Sequence, residues 1–270
     1  MTATVAAPAL LAPGSELAPG YRVVELLSRG QALDVYEVYS ERHWCHCVAK
    51  TPRPDRPEER VRERLLNEGR LLARIGHPHL VRGIETIEEP RPVVVTETVL
   101  GDTLEELLDG RPRRLPARDV VYLGLHLTSA LHALHSAGIV HLDVRPANVI
   151  SRGGAAVLID LSIAREPGLV RAGYGTQGLM SPEQETGGWA GVAADVWGLG
   201  MTLYVAAVGG VPERDRRGGG PLVAPVRHSR RLPADLGRLL DECLAAGPED
   251  RPGLPEVARR LQDLALRWDD

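Results

Sequence analysis

The stretch His141-Leu142-Asp143-Val144-Arg145-Pro146-Ala147-Asn148 sets an Asp and an Asn five positions apart, in a loop between a helical segment and a strand-like one. Twelve residues beyond Asn148, an apolar strand delivers Asp160. Carboxylate and amide oxygens gathered at a strand end suit a hard cation, and the other Asp is then left to accept a proton. Working backward, apolar spacing predicts a long helix over Val120–Ala137, closed by Gly138, and a short one over Thr103–Leu108 with Asp102 or Thr103 as its cap. Working forward, short strands around Val149 and Val157–Ile159 flank a Gly153–Gly154 turn. Ala193–Val208 is apolar nearly all round and reads as a buried central helix. Pro233–Leu244 and Pro255–Arg267 each open on a proline in the first turn, while Arg214–Pro225 reads as a loop whose Arg216–Arg217 pair and Gly218–Gly220 run are solvated.

The first hundred residues differ in period. Tyr21–Leu27, Val35–Tyr39 and Cys45–Lys50 are short and β-branched or aromatic, as are Ile84–Glu88 and Val93–Thr98. Between them Glu58–Arg74, headed by Pro57, carries Leu65, Leu66, Leu72 and Ile75 at helical spacing and ends at Gly76 and Pro78. Residues Met1–Ala18 are Ala/Pro-rich without period and are expected to be a disordered tail. Five strands with one helix, then a helical region, predict an α+β chain with two lobes. The expected division is 1–18 tail, 19–99 small lobe, 100–270 larger lobe.

Composition narrows the function classes. With 270 residues, 43% hydrophobic and 25% charged, the chain is globular in kind. A net charge of -4 gives no bulk electrostatic reason to bind nucleic acid or anionic lipid. The longest apolar runs fall far short of a bilayer span, and a cleavable signal is not expected from the opening residues. Three cysteines, an odd number, fit a reducing compartment, so a cytoplasmic setting is expected. The grouping of His43, Cys45, His46 and Cys47 does not make a zinc site, because Cys45 and Cys47 face opposite to His46 in a strand. Phe is absent, Asn occurs only at Asn67 and Asn148, and Lys only at Lys50. Residues that survive such a bias mark places where chemistry allows no substitute.

His141–Asn148 followed by Asp160 resembles the catalytic loop and metal-binding segment of protein kinases. Several neighbours, in order, carry the same resemblance. Cys47-Val48-Ala49-Lys50 is similar to the strand that ends in the phosphate-gripping Lys. Glu68 stands ten residues before Pro78 of His77-Pro78-His79-Leu80-Val81, where that Lys finds its acidic partner. Gly175-Thr176 and Met180-Ser181-Pro182-Glu183 resemble the segment that receives the peptide. Asp195-Val196-Trp197-Gly198-Leu199-Gly200 resembles the opening of the central helix. Cys243-Leu244 and Asp250-Arg251-Pro252 resemble the closing segment, whose Arg would pair with Glu183. The chain is thereby identified as a divergent member of the bacterial, eukaryotic-type Ser/Thr protein kinases; a small-molecule phosphotransferase of related fold lacks the peptide-segment landmarks.

The resemblance implies a bilobal kinase fold, ATP with Mg²⁺ or Mn²⁺ as cofactors, and a protein with a Ser or Thr acceptor as partner. It implies that Lys50 grips the α/β-phosphates, Glu68 positions Lys50, and Asn148 and Asp160 hold the metal. Asp143 would be the base, with Arg145 and Thr176 ordering the acceptor site. Nucleotide would lie in a cleft against Gly30, Val35 and Val48, behind gatekeeper Thr96, with hinge hydrogen bonds at Glu97 and Val99. Against the family pattern, Arg145 replaces Lys and Leu161 replaces Phe. Ser28 and Leu33 replace two of three expected glycines in Leu27–Val35, Ser162 replaces the Gly after Asp160-Leu161, and Leu142 replaces the Arg that receives an activation-segment phosphate. Between Asp160 and Thr176 the only hydroxyls are Ser162 and Tyr174. A kinase independent of activation-segment phosphorylation is the expected function, with a nucleotide-binding or scaffolding pseudokinase as the alternative.

Overall fold

Alternating side chains build the first sheet. In Leu33–Ser40 (β3) the buried residues are Asp34, Tyr36, Val38 and Ser40, every second position, and in Cys45–Pro52 (β4) they are Cys47, Ala49 and Thr51. The computed structural model describes residues 10–55, 58–109, 114–214 and 222–269. The described chain forms two units. One comprises residues up to Gly76 together with Val81–Thr98, the other His77–Leu80 together with Val99 onward. Among the described residues no helix is long and apolar enough to cross a membrane.

The first unit is an antiparallel six-stranded sheet with one helix. Glu16–Ala18 (β1), Tyr21–Arg29 (β2), β3 and β4 follow in order, and Val93–Glu97 (β6) lies between β4 and the edge strand Gly83–Ile87 (β5). Its core is Tyr21, Val23, Tyr36, Val38, Cys47, Ala49, Val93 and Val95, extended by Leu17 and Ala18. The expectation that residues up to Ala18 form a disordered tail is therefore corrected: Glu16–Ala18 pairs with β2, and Leu17 and Ala18 are buried. Ala/Pro-rich composition conceals a strand whose stability comes from its partner. Residues 1–9 of that tail, and Pro57, lie outside the described residues. Helix α1, Glu59–Arg74, buries Val61, Leu65, Glu68, Gly69, Leu71 and Leu72. A Cβ on Gly69 would fall 2.2 Å from Thr86 Oγ1, so glycine is what lets α1 lie hard against β5.

The second unit is organised round helix α5, Val192–Val208, which is buried from Ala194 to Ala207. Two glycines allow close packing on it: a Cβ on Gly200 would fall 2.6 Å from Cys243 Cβ, and one on Gly198 3.0 Å from Val144. α3 (Ala117–Ser136) and α6 (Ala234–Cys243) pack on it, α7 (Leu254–Asp269) packs on those two, and α2 (Leu104–Leu108) and α4 (Pro182–Thr186) complete the helices. Thr103 caps α2 in a reciprocal box with Glu106. Val149–Arg152 (β7) and Ala155–Leu158 (β8) form a hairpin closed by Gly153 and Gly154, both at positive φ as a tight turn requires. Gly168–Leu169 (β9) pairs with Trp189–Ala190 (β10). The Arg216–Arg217 and Gly218–Gly220 run lies outside the described residues; Arg214, where the expected loop begins, has a nearly buried side chain.

Candidate active site

In the first unit Lys50 and Glu68 meet. Strand alternation sends Ala49 to the core and Lys50 to the other face, beside the half-buried Val48 and opposite the half-buried Val35. Lys50 Nζ donates to Glu68 Oε1 at 2.7 Å, with the Lys50 side chain 14% exposed and the Glu68 side chain 1%. Removing either partner would leave the other as a poorly solvated charge, so the pair fixes both. Thr96 is buried on β6 opposite Val48 in the ladder, and Glu97 ends that strand. Glu97 is tied to Arg82 twice: its N–H donates to the Arg82 carbonyl at 2.9 Å and its carboxylate accepts the Arg82 N–H at 3.0 Å. Val99 is buried and belongs to the second unit.

The β2–β3 turn shows why glycine could be lost there. β2 runs to Arg29 and β3 starts at Leu33, so Ser28 and Leu33 occupy ladder positions that accept side chains. Only Gly30-Gln31-Ala32 turns, closed by the Gly30 N–H on the Leu33 carbonyl at 2.9 Å. Arg53, three residues beyond Lys50, holds this turn. Its N–H donates to the Ala32 carbonyl at 3.0 Å and its guanidinium to the Gly30 carbonyl at 2.9 Å. Asp55 orients that guanidinium through contacts of 2.9 and 2.6 Å, and Arg29 lies 3.5 Å from Asp55 and 3.3 Å from the buried Asp34. The bond from Arg53, ahead of every other cause, holds the Asp55 carboxyl down at about 2.

In the second unit Asp143 is the point of convergence. Thr176 Oγ1 donates to Asp143 Oδ1 at 2.6 Å and Asn148 Nδ2 to Asp143 Oδ2 at 2.9 Å, while Arg145 Nε lies 3.4 Å from Oδ2. Asn148 Nδ2 also binds the Asp143 carbonyl at 2.9 Å, which leaves its amide oxygen as the end suited to a cation. Asp160 follows β8 at φ 68 and accepts the Ser162 N–H at 3.1 Å. Its carboxylate and the Asn148 amide oxygen are the hard donors that a magnesium-like ion prefers. Sequence reading finds these residues but misses what holds their loop. Leu142 stands at φ 66, a costly backbone for a leucine. Buried Asp195 secures it by accepting the N–H groups of His141 and Leu142 at 2.8 and 2.7 Å, and His135 Nε2 lies 2.8 Å from the same carboxylate. The only signal for Asp195 is its place in the central-helix motif, and His135 gives none.

The first half of the segment from Asp160 to Glu183 packs against an apolar cluster, and its second half is held by hydrogen bonds from outside it. Leu142 is 3% exposed and sits in an apolar cluster with Val140, Val170, Ala190 and Ala194, against which Ile163 and Tyr174 pack. Val140 and Arg165 exchange backbone hydrogen bonds at 2.8 and 3.0 Å. Buried Gln184, reciprocally bonded to Ser181, donates to the carbonyls of Leu142 and Tyr174 at 2.8 and 2.7 Å. Arg251 takes Glu183 in a fork of 2.7 and 2.9 Å, the pairing expected from the sequence.

The protein kinase domain family matches residues 21–261. The chain is 30% identical over 274 residues to serine/threonine-protein kinase PknK of Mycobacterium tuberculosis, covering 94% of this chain and 24% of that protein. It is 32% identical over 220 residues to serine/threonine-protein kinase PkaA of Streptomyces coelicolor (75% of this chain, 40% of PkaA) and 30% identical over 270 residues to PknD of M. tuberculosis (95% and 40%). The chain thus spans less than half the length of these relatives.

Proposed function

The chain belongs to the protein kinase domain family, and from that premise we propose that it transfers the γ-phosphoryl group of ATP to a Ser or Thr hydroxyl of a protein. One observation carries the reading: the Asp143 carboxylate receives Thr176 at 2.6 Å and Asn148 at 2.9 Å, with Arg145 at 3.4 Å. A carboxylate oriented by three side chains is prepared to take the proton of an incoming hydroxyl as its oxygen attacks phosphorus. Lys50, steered by Glu68, holds the α/β-phosphates; Gly30, Val35, Val48, Thr96, Glu97 and Val99 serve the nucleotide. Asp160 and Asn148 are the residues that would hold a divalent cation, and such a cation would supply neutralisation of phosphate charge. Arg145 places positive charge beside Asp143, where the family usually has Lys, and Thr176 keeps the acceptor side in register.

Independence from activation-segment phosphorylation is part of the same reading. Leu142 carries no charge to receive a phosphate, and the apolar cluster around it supplies the order that a phosphate–arginine contact would otherwise give. A nucleotide-binding regulatory module is the second reading, favoured by Ser28, Leu33 and Ser162 at family glycine positions. Radiolabelled ATP with Mg²⁺ or Mn²⁺ and a generic protein acceptor separates the two. The expected result is transfer by the wild type, loss of transfer in Asp143→Asn, and an unchanged nucleotide-dependent thermal shift in that variant. Nucleotide binding without transfer under either metal would decide for the regulatory module.

A further inference from the structure

We propose that Arg214 is a positioning residue that sets Thr176 on Asp143 by holding the main chain of Met180. The inference rests on the kinase reading above and names a residue outside the motifs that carry it. The Arg214 side chain is 5% exposed and its guanidinium divides between two partners of the acceptor segment. Nη2 donates to the Met180 carbonyl at 2.6 Å and Nη1 to Glu185 Oε2 at 3.1 Å. From Met180 the bonds continue inward: its N–H donates to the Thr176 carbonyl at 3.0 Å, and Thr176 Oγ1 donates to Asp143 at 2.6 Å. The adjacent carbonyl, Leu179, is held from the central helix by Trp197 Nε1–H at 3.0 Å.

Trp197 also explains how Arg214 is kept in place. The guanidiniums of Arg214 and Arg251 both lie over its ring, 5.0 and 5.1 Å from the centroid. Two cations sharing one ring repel each other, and each is offset by a carboxylate of α4: Glu183 for Arg251 and Glu185 for Arg214. The segment is therefore gripped twice. Arg251 fixes the helix that follows it, and Arg214, three hydrogen bonds from Asp143, fixes the residue whose N–H holds Thr176. Planarity matters, because a single guanidinium must stack on Trp197 while directing separate N–H groups at a carbonyl and a carboxylate. Lysine cannot do this.

The test compares Arg214→Met, Arg214→Lys and the partner variant Glu185→Gln, whose site is more exposed and which keeps the proposal falsifiable if Arg214→Met does not fold. With dephosphorylated casein as acceptor, Arg214→Met should raise the acceptor KM roughly fivefold or more, the order expected for a lost charge-assisted bond, with the KM for ATP within about twofold. Arg214→Lys should behave like Arg214→Met, and Glu185→Gln should shift the acceptor KM in the same direction by less. In the Thr176→Ala background, Arg214→Met should add nothing to the loss of kcat/KM. Without substrate, amide exchange at Leu179 and Met180 should accelerate in Arg214→Met while the α5 amides stay protected. Equal movement of both KM values, full additivity with Thr176→Ala, or unchanged exchange at Leu179 and Met180 would overturn the assignment. If the wild type transfers no phosphate, the kinase reading falls, and the exchange result alone decides the link from Arg214 to Met180.

Discussion

The β2–β3 turn and the activation segment both lack the residues by which the family usually manages them, and the two are repaired with opposite chemistry. The turn has lost glycines and is held by alternating charges, Asp34, Arg29, Asp55 and Arg53, the last also bonding two turn carbonyls. The activation segment has lost a charge and, around Ile163–Tyr174, packs with valine, alanine, isoleucine and tyrosine about Leu142. Electrostatic bonds at partly exposed sites weaken with salt, whereas apolar burial does not. One protein thus carries two ordered segments with different sensitivities to solvent. That separation can be broken by experiment.

The largest effect is expected at Leu142. Leu142→Ala removes buried methyl groups and should lower unfolding stability by about 2–4 kcal/mol in urea titration, with loss of activity. Leu142→Arg, which supplies the residue type usual in the family, should be worse, because it buries a guanidinium where no phosphate answers it. Activity rescued by Leu142→Arg would mean that the segment is governed by charge after all. Next comes Arg53→Met: removing its side-chain bonds should weaken ATP binding roughly tenfold by calorimetry, worth about 1.4 kcal/mol, with little change in global stability. A matching loss of stability would show that Arg53 serves the sheet and not the turn.

Smaller effects follow from solvent. Raising NaCl from low to about 0.5 M should accelerate amide exchange at Gly30–Leu33 and leave Val170 and Tyr174 protected. Acid separates the regions in the same way. The Asp55 carboxyl is depressed in the fold, so its contribution is complete above the ordinary aspartate range near 3.9 and disappears as pH falls towards about 2. The turn should therefore keep its protection at pH 5, weaken as pH falls below about 3.9, and have lost it by about pH 2. The smallest effect is none: phosphatase-treated and untreated protein should show equal specific activity. A large drop traced to Ser162 or Tyr174 would end the case for an apolar lock.

What the sequence makes legible follows the range of the forces involved. Lys50, Asp143, Asn148 and Asp160 stand in short motifs where spacing along the chain carries the proposed chemistry, and Glu183 and Arg251 pair as their motifs imply. Helix α5 is legible because burial on every side leaves no polar stripe. Arg53 and Arg214 are not legible, since arginine is the commonest cation here and only the fold brings these two to main-chain carbonyls. His135 reaches Asp195 across sixty residues, a distance no local pattern carries. β1 is hidden for the same reason: alanine and proline argue for disorder until β2 supplies the partner.

The left-handed backbones at Leu142 and Asp160 bear on how this protein would answer selection for heat resistance. Such residues are where a stabilising substitution is first sought, since asparagine tolerates the conformation at least as well. At Leu142 the exchange would fail the screen, because the lost apolar contact outweighs the relief. At Asp160 it would pass: Asn keeps an oxygen for the Ser162 N–H and tolerates the left-handed backbone. The survivors of that screen would be sturdier proteins with a neutral amide where the proposed metal site has a carboxylate. Breeding this chain for durability would disarm it at one strained residue and leave the other untouched.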